Sequence, residues 1–226
     1  MSTNPDNHRQ GNPTANGGPS WRELFHGAAR ESLAAVHSVA RIGTQDTRAW
    51  ERPMRYVADD NQGNVGVVEF LHDGVVGAIS ARAPKRLFEP AGAIDLAPSG
   101  LREALGRVCE LPLLQEGLGV SAAFWTVGDF LQTLGTWGES GTELFRRELL
   151  PGKIWEVEAL AYYKLVPEVA HLAIAIASRA VVHAPLATLS EGELIQLIPK
   201  GSRYEREAIE LLLSDGLFEV AHSATV

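Results

Sequence analysis

The side chains able to do chemistry are few and scattered. Seven histidines, His8, His26, His37, His72, His171, His183 and His222, include no pair at the close spacing to glutamate or cysteine that a zinc site uses. Only His26 and His37 fall on one helix face, as a distant pair. Cys109 is the sole cysteine, so no internal disulfide is available, and its apolar neighbours mark a buried thiol rather than a nucleophile. Gly119-Val120-Ser121-Ala122-Ala123 has the outline of a nucleophile elbow with alanine for the second glycine, but that motif needs a strand, a sharp turn and a helix on a parallel sheet. Gly117-x-Gly119-x-x-Ala122 has the spacing of a dinucleotide fingerprint, with Glu139 about 20 residues on. Its preceding segment contains Pro112 and follows a helix, so a tight turn is the better reading.

Gly135, Gly138 and Gly141 precede a helix without the Gly-Lys-Ser/Thr of a phosphate loop. Asp59-Asp60-Asn61-Gln62-Gly63-Asn64 gathers oxygens as a calcium loop does, yet in neither register does it supply the glycine and distal glutamate that such a loop needs. It reads as a turn. The expectation is therefore no catalytic residues, no cofactor and no metal, with a non-catalytic role favoured and enzymatic activity left open.

Composition narrows the classes further. A chain of 226 residues, 45% hydrophobic and 21% charged, has enough apolar surface for one sizeable core or two small ones. Twenty basic against 28 acidic residues leave a formal charge of −8, which disfavours nucleic acid and anionic membranes. The longest apolar run, Val166 to Ala177, is broken by Pro167, Glu168 and His171 and falls short of the about 20 residues that span a bilayer. The first ten residues have no basic region leading into an apolar stretch. These features predict a cytoplasmic protein.

Along the chain, residues 1–20 are rich in Asn, Pro, Gly and Ser and read as a disordered tail. Ser20 with Glu23 then forms a helix-start signature, and Trp21, Leu24, Phe25 and Ala28 share a face that continues through Val36 and Val39. After Pro53 the period changes. Met54 to Val57, Val65 to Leu71 and Val75 to Ser80 are extended runs separated by Asp/Asn/Gly turns, with His72-Asp73-Gly74 as a tight hairpin, and Glu69 and Phe70 on opposite faces. The proline-rich stretch Ala83 to Ser99 reads as an internal connection, and beyond it the pattern is almost wholly helical.

The fold class predicted is α+β: a small antiparallel β-meander plus a mainly helical carboxy-terminal part. Its units are 21–98, helix plus meander, and 99–226, helical. The segment 168–220 reads as helix, short helix opened by Ser190 and Glu193, tight turn, helix opened by Ser202 and Glu205, and a strand after Gly216. That is the order of a winged helix-turn-helix. Residues 186–226 hold three basic residues, Lys200, Arg203 and Arg206, against seven acidic ones, so DNA binding is disfavoured and protein contact is the better use of such a unit.

The hairpin Gly66-Val67-Val68-Glu69-Phe70-Leu71-His72-Asp73-Gly74-Val75-Val76-Gly77-Ala78-Ile79-Ser80 resembles the central hairpin of the PatA-type amino-terminal domain of bacterial signalling proteins. Leu213-Ser214-Asp215-Gly216-Leu217 is similar to the close of the winged-helix-like segment in some of them. The resemblance implies a non-catalytic regulator or adaptor working through another protein, with no catalytic residues to carry over. The contact surfaces expected are the hairpin edge (Phe70, Asp73, Val75), the Trp137 loop, and Leu217 with Phe218. A homodimer is compatible with the same surfaces. The alternative is a small-molecule site or enzyme pocket lined by Trp125, Trp137, Trp155, Tyr162 and Tyr163.

Overall fold

The computed structural model describes residues 18–43, 49–52, 54–60, 62–72, 74–82, 90–115, 119–133, 142–182, 187–214 and 216–221. The fold is α+β. Strands β1 (Ala49–Arg52), β2 (Arg55–Asp59), β3 (Val65–Leu71), β4 (Gly74–Ser80), β5 (Ala122–Val127) and β6 (Phe130–Thr133) form one antiparallel meander in sequence order. The tight turn at Gly74 sets the β3–β4 register, Phe70 opposite Val75 and Val68 opposite Gly77. Val68, Phe70, Val75, Ile79 and Phe124 point to one face, and Val67, Val76, Ala78, Ala123 and Trp125 to the other. Both faces are covered, which is why β3 and β4 read as almost continuous apolar runs.

The second face is covered by α2 (Pro90–Leu96), α3 (Ser99–Cys109) and the single turn α4 (Pro112–Gln115), through Leu101, Ala104, Leu105 and Val108. The first face carries α1 (Trp21–Ile42). Ser20 caps this helix by accepting from the Arg22 amide at 3.3 Å, and Gly43 ends it in the left-handed conformation, φ 67°, donating to Val39 O at 2.9 Å. Helix α1 is buried from Leu24 to Ala40 apart from the half-buried His26. The sheet lies on one side of it, and α5 (Gly152–Tyr162), α6 (Pro167–Ala177), α7 (Glu191–Leu197) and α8 (Glu205–Ser214) complete the shared core.

Three differences from the sequence reading have physical causes. The part beyond residue 98 contributes β5 and β6 to the meander, so the sheet draws strands from both sides of that position. Residues 144–150 form a 3-10 turn and successive tight turns rather than a helix. The terminal unit has the expected helix order and an additional strand, β7 (Ala187–Leu189), which pairs in parallel with β8 (Phe218–Val220) across the α7–α8 crossover. The capping box at α7 is present in full, Ser190 Oγ accepting from the Glu193 amide at 3.3 Å while the Glu193 carboxylate accepts from the Ser190 amide at 2.9 Å. At α8 the Ser202 side chain does not cap; its backbone carbonyl accepts from the Glu205 amide at 3.2 Å. Among the described residues no helix is long and apolar enough to cross a membrane.

Candidate functional site

Helix α1 carries charge where a helix under a sheet is ordinarily apolar. Glu31 is fully buried, and its carboxylate accepts from Arg147, from the Trp155 indole N–H and, at 2.7 Å, from the Tyr163 hydroxyl. The Arg147 guanidinium stacks over the rings of Tyr162 and Tyr163, at 3.7 and 4.6 Å from their centroids. Next to Arg147 in the chain, Glu148 accepts through Oε1 from the Tyr56 hydroxyl at 2.8 Å. Fixed donors occupy both Glu31 oxygens, so the Glu31 cluster locks α1 to α5 and to the turn at 146–150.

Arg30, beside Glu31, is treated differently. It is 8% exposed, donates to Leu150 O at 2.9 Å and to Glu148 O at 3.4 Å, and stacks over Trp155 at 4.7 Å. It makes no ion pair with any described carboxylate. Its Nε is buried without a hydrogen-bond partner. Burial lowers its pKa, and the fields of Glu31 and Glu148 act the other way. Arg30 lines a cleft of about 300 Å³ between α1, the turn at 149–152 and α6, with Glu23 and His26 further along the same helix. Since a carbonyl only accepts, the 3.2 Å contact of His26 Nε2 with Ala180 O fixes the proton on that nitrogen.

The other candidate residues have structural roles. Cys109 is buried, and burial with the neighbouring Glu110 pushes its thiol up to about 11, as an inert thiol should be. Ser121 Oγ donates to Ile79 O at 3.0 Å. His26 and His37 do not meet, and among the described residues no three metal-ligating side chains cluster. Trp125 lies under the opposite sheet face from Trp155 and Tyr163, while Tyr162 is exposed, so the four do not line one pocket.

His37 donates from Nδ1 to Leu197 O at 2.8 Å, and its buried Nε2 has no partner. Burial, chiefly, and Arg41 one turn on hold its pKa below the ordinary 6.5. The unfolded chain therefore takes up a proton near that value while the folded chain does not, so stability present above it is lost as pH falls below it. From about pH 7.5 to about pH 5.5 the unfolding free energy falls by up to about 1.4 kcal/mol from this residue. Urea titrations of the wild type and His37→Gln at both pH values check this: the variant loses correspondingly less.

The expected contact residues are mostly interior. Phe70 and Val75 pack against α1, because β3 and β4 are the middle strands of the sheet and not an edge. Leu217 and Phe218 are buried where β8 closes on β7. Asp73 and Trp137 lie outside the described residues. The outward face of α8 carries Arg206 paired with Glu210 at 2.8 Å, and Arg203 lies over the Tyr204 ring, an arrangement poor in free positive charge.

What is exposed and apolar is α5. Its inner side, Trp155 and Ala159, is buried, yet Ile154 is 52% and Val157 68% exposed, three residues apart on the outer face, and the exposed Ala161 continues the line. Tyr162 and Val166 extend the apolar surface at the carboxy-terminal end. The flanking acids are held on the protein itself, Glu156 by His171 at 3.0 Å and Glu158 by Arg146 at 2.9 Å. Ile154, Trp155 and Val157 put apolar residues on more than one side of α5, and the sequence does not show which of those sides stays uncovered. No family model, no curated protein and no solved structure matches this chain.

Proposed function

We propose that this protein is a non-catalytic cytoplasmic regulator or adaptor of bacterial type that binds another protein through the outer face of α5. The observation that carries this reading is the exposed line Ile154, Val157 and Ala161 on a helix whose other side is core. Side chains of this kind gain about 1.5–3 kcal/mol each on full burial, which is the energy a contact on this face would recover. The chain's formal charge of −8 favours a partner with an apolar centre rimmed by basic side chains over a second acidic copy. The hairpin's resemblance to the PatA-type domain points to the same class of role.

Ile154→Asp and Val157→Asp test it, because both side chains face away from the core. Surface substitutions of this kind change stability by about 0.5 kcal/mol or less. Each variant is expected to keep the wild-type melting temperature within a few degrees and to lose the partner recovered stoichiometrically with the wild-type protein. Retention of that partner by both folded variants would refute the assignment.

A further inference from the structure

The Arg30 cleft lies apart from the outer face of α5 and has features that the contact role does not use. Its lining includes Arg30, a residue 8% exposed whose guanidinium has a partnerless Nε and makes no ion pair with a described carboxylate. Buried cations are ordinarily paired, and removing a partner from such a charge is costly. Its wall includes Gly152, the first residue of the eleven-residue α5. That helix starts at Pro151 with no side-chain cap and no acidic residue in its first turn. The amides of Gly152 and Lys153 meet no acceptor among the described residues, and Lys153 puts a positive charge where the helix dipole is already positive. A buried guanidinium and an uncapped helix start thus face one cleft, whose remaining lining is largely apolar: Leu149, Leu150, Ile174 and Ala177.

We infer that this cleft binds a small organic monocarboxylate, its oxygens on Arg30 and the first amides of α5 and its apolar body against Leu150 and Ile174. A single negative charge fits better than a phosphate dianion. Glu23 stands in the cleft lining, and Glu31 and Glu148 already act on the Arg30 charge. The volume of about 300 Å³ lies at the small end of ligand pockets, which suits a short-chain acid.

The test is a titration of the full-length protein with sodium hexanoate, followed by the amide resonances of Gly152 and Lys153 and by Arg30 Nε–H, against sodium chloride and inorganic phosphate at matched ionic strength. Saturable shifts confined to these groups and seen with hexanoate alone are expected. Two variants separate binding from folding. Arg30→Gln removes the anion's main partner along with a packing contact on Trp155. Gly152→Asp supplies a tethered carboxylate at the helix start, where an added Cβ meets only Ile174 methyls at 3.8 and 3.9 Å. Gly152→Asp is expected to stay folded and to weaken hexanoate binding by about tenfold or more. Absence of saturable shifts, an equal response to phosphate or chloride, or undiminished binding by Gly152→Asp would each overturn the inference.

Discussion

Glu31→Ala is expected to lower the unfolding free energy by about 3–5 kcal/mol, measured by urea denaturation near neutral pH. The cost arises from what remains. Arg147, with a side chain only 14% exposed, loses its carboxylate, and the Trp155 indole and Tyr163 hydroxyl lose their acceptor inside the core. Glu31→Gln keeps an acceptor for one donor but removes the charge, so it falls between wild type and alanine. A Glu31/Arg147 double-mutant cycle should show strong coupling, because the double variant no longer strands a charge. A loss below about 1 kcal/mol for Glu31→Ala would mean that the cluster does not clamp α1 to α5.

Gly27→Ala is the second large effect, at or above the upper end of the about 1–3 kcal/mol typical of overpacking. A Cβ built at Gly27 would stand 1.6 Å from the carbonyl oxygen of Glu148, well inside contact. Relief requires either α1 or the 146–150 turn to move, since the obstacle is backbone and not a flexible side chain. Moving that turn also displaces Arg147 and the Arg30 acceptors at Glu148 and Leu150, so packing and polar clamp fail together. Thermal melts of Gly27→Ala against a helix control such as the exposed Gly100→Ala, where an added Cβ meets nothing within 4 Å, separate this clash from helix propensity.

Both effects lie where the sequence pattern was least informative. Features set by neighbours in the chain were legible: the cap at Ser20, the capping box of Ser190 and Glu193, the turn before Gly74 and the two-faced β3–β4 hairpin. Features set by distant pairing were not. Ala122 to Val127 becomes a strand because it pairs with β4, some 40 residues earlier, and β7 is three residues long, too short for any period to register. The same cause moved the contact surface. Phe70 and Val75 belong to a hairpin that would expose an edge if it were the whole sheet, but β1, β2, β5 and β6 flank it.

The polar face of α1 raised the converse difficulty. Arg30, Glu31 and His37 sit at positions that suit solvent in an isolated amphipathic helix, and only the arrival of α5, α6 and α7 on that side buries them. The exposed line on α5 was unreadable for a related reason. Apolar residues on two sides of a helix indicate two covered sides, and the fold covers one.

The central claim, that the outer face of α5 is a protein-binding surface, is tested most directly by a photoreactive amino acid placed at Val157 in the full-length protein in its host. The same group at Leu96, 55% exposed on α2 across the sheet, is the control. The account predicts one discrete adduct with a different protein from position 157, absent from position 96 and abolished by Ile154→Asp. No adduct from position 157, the same adducts from both positions, or a single adduct with a second copy of this chain would contradict it.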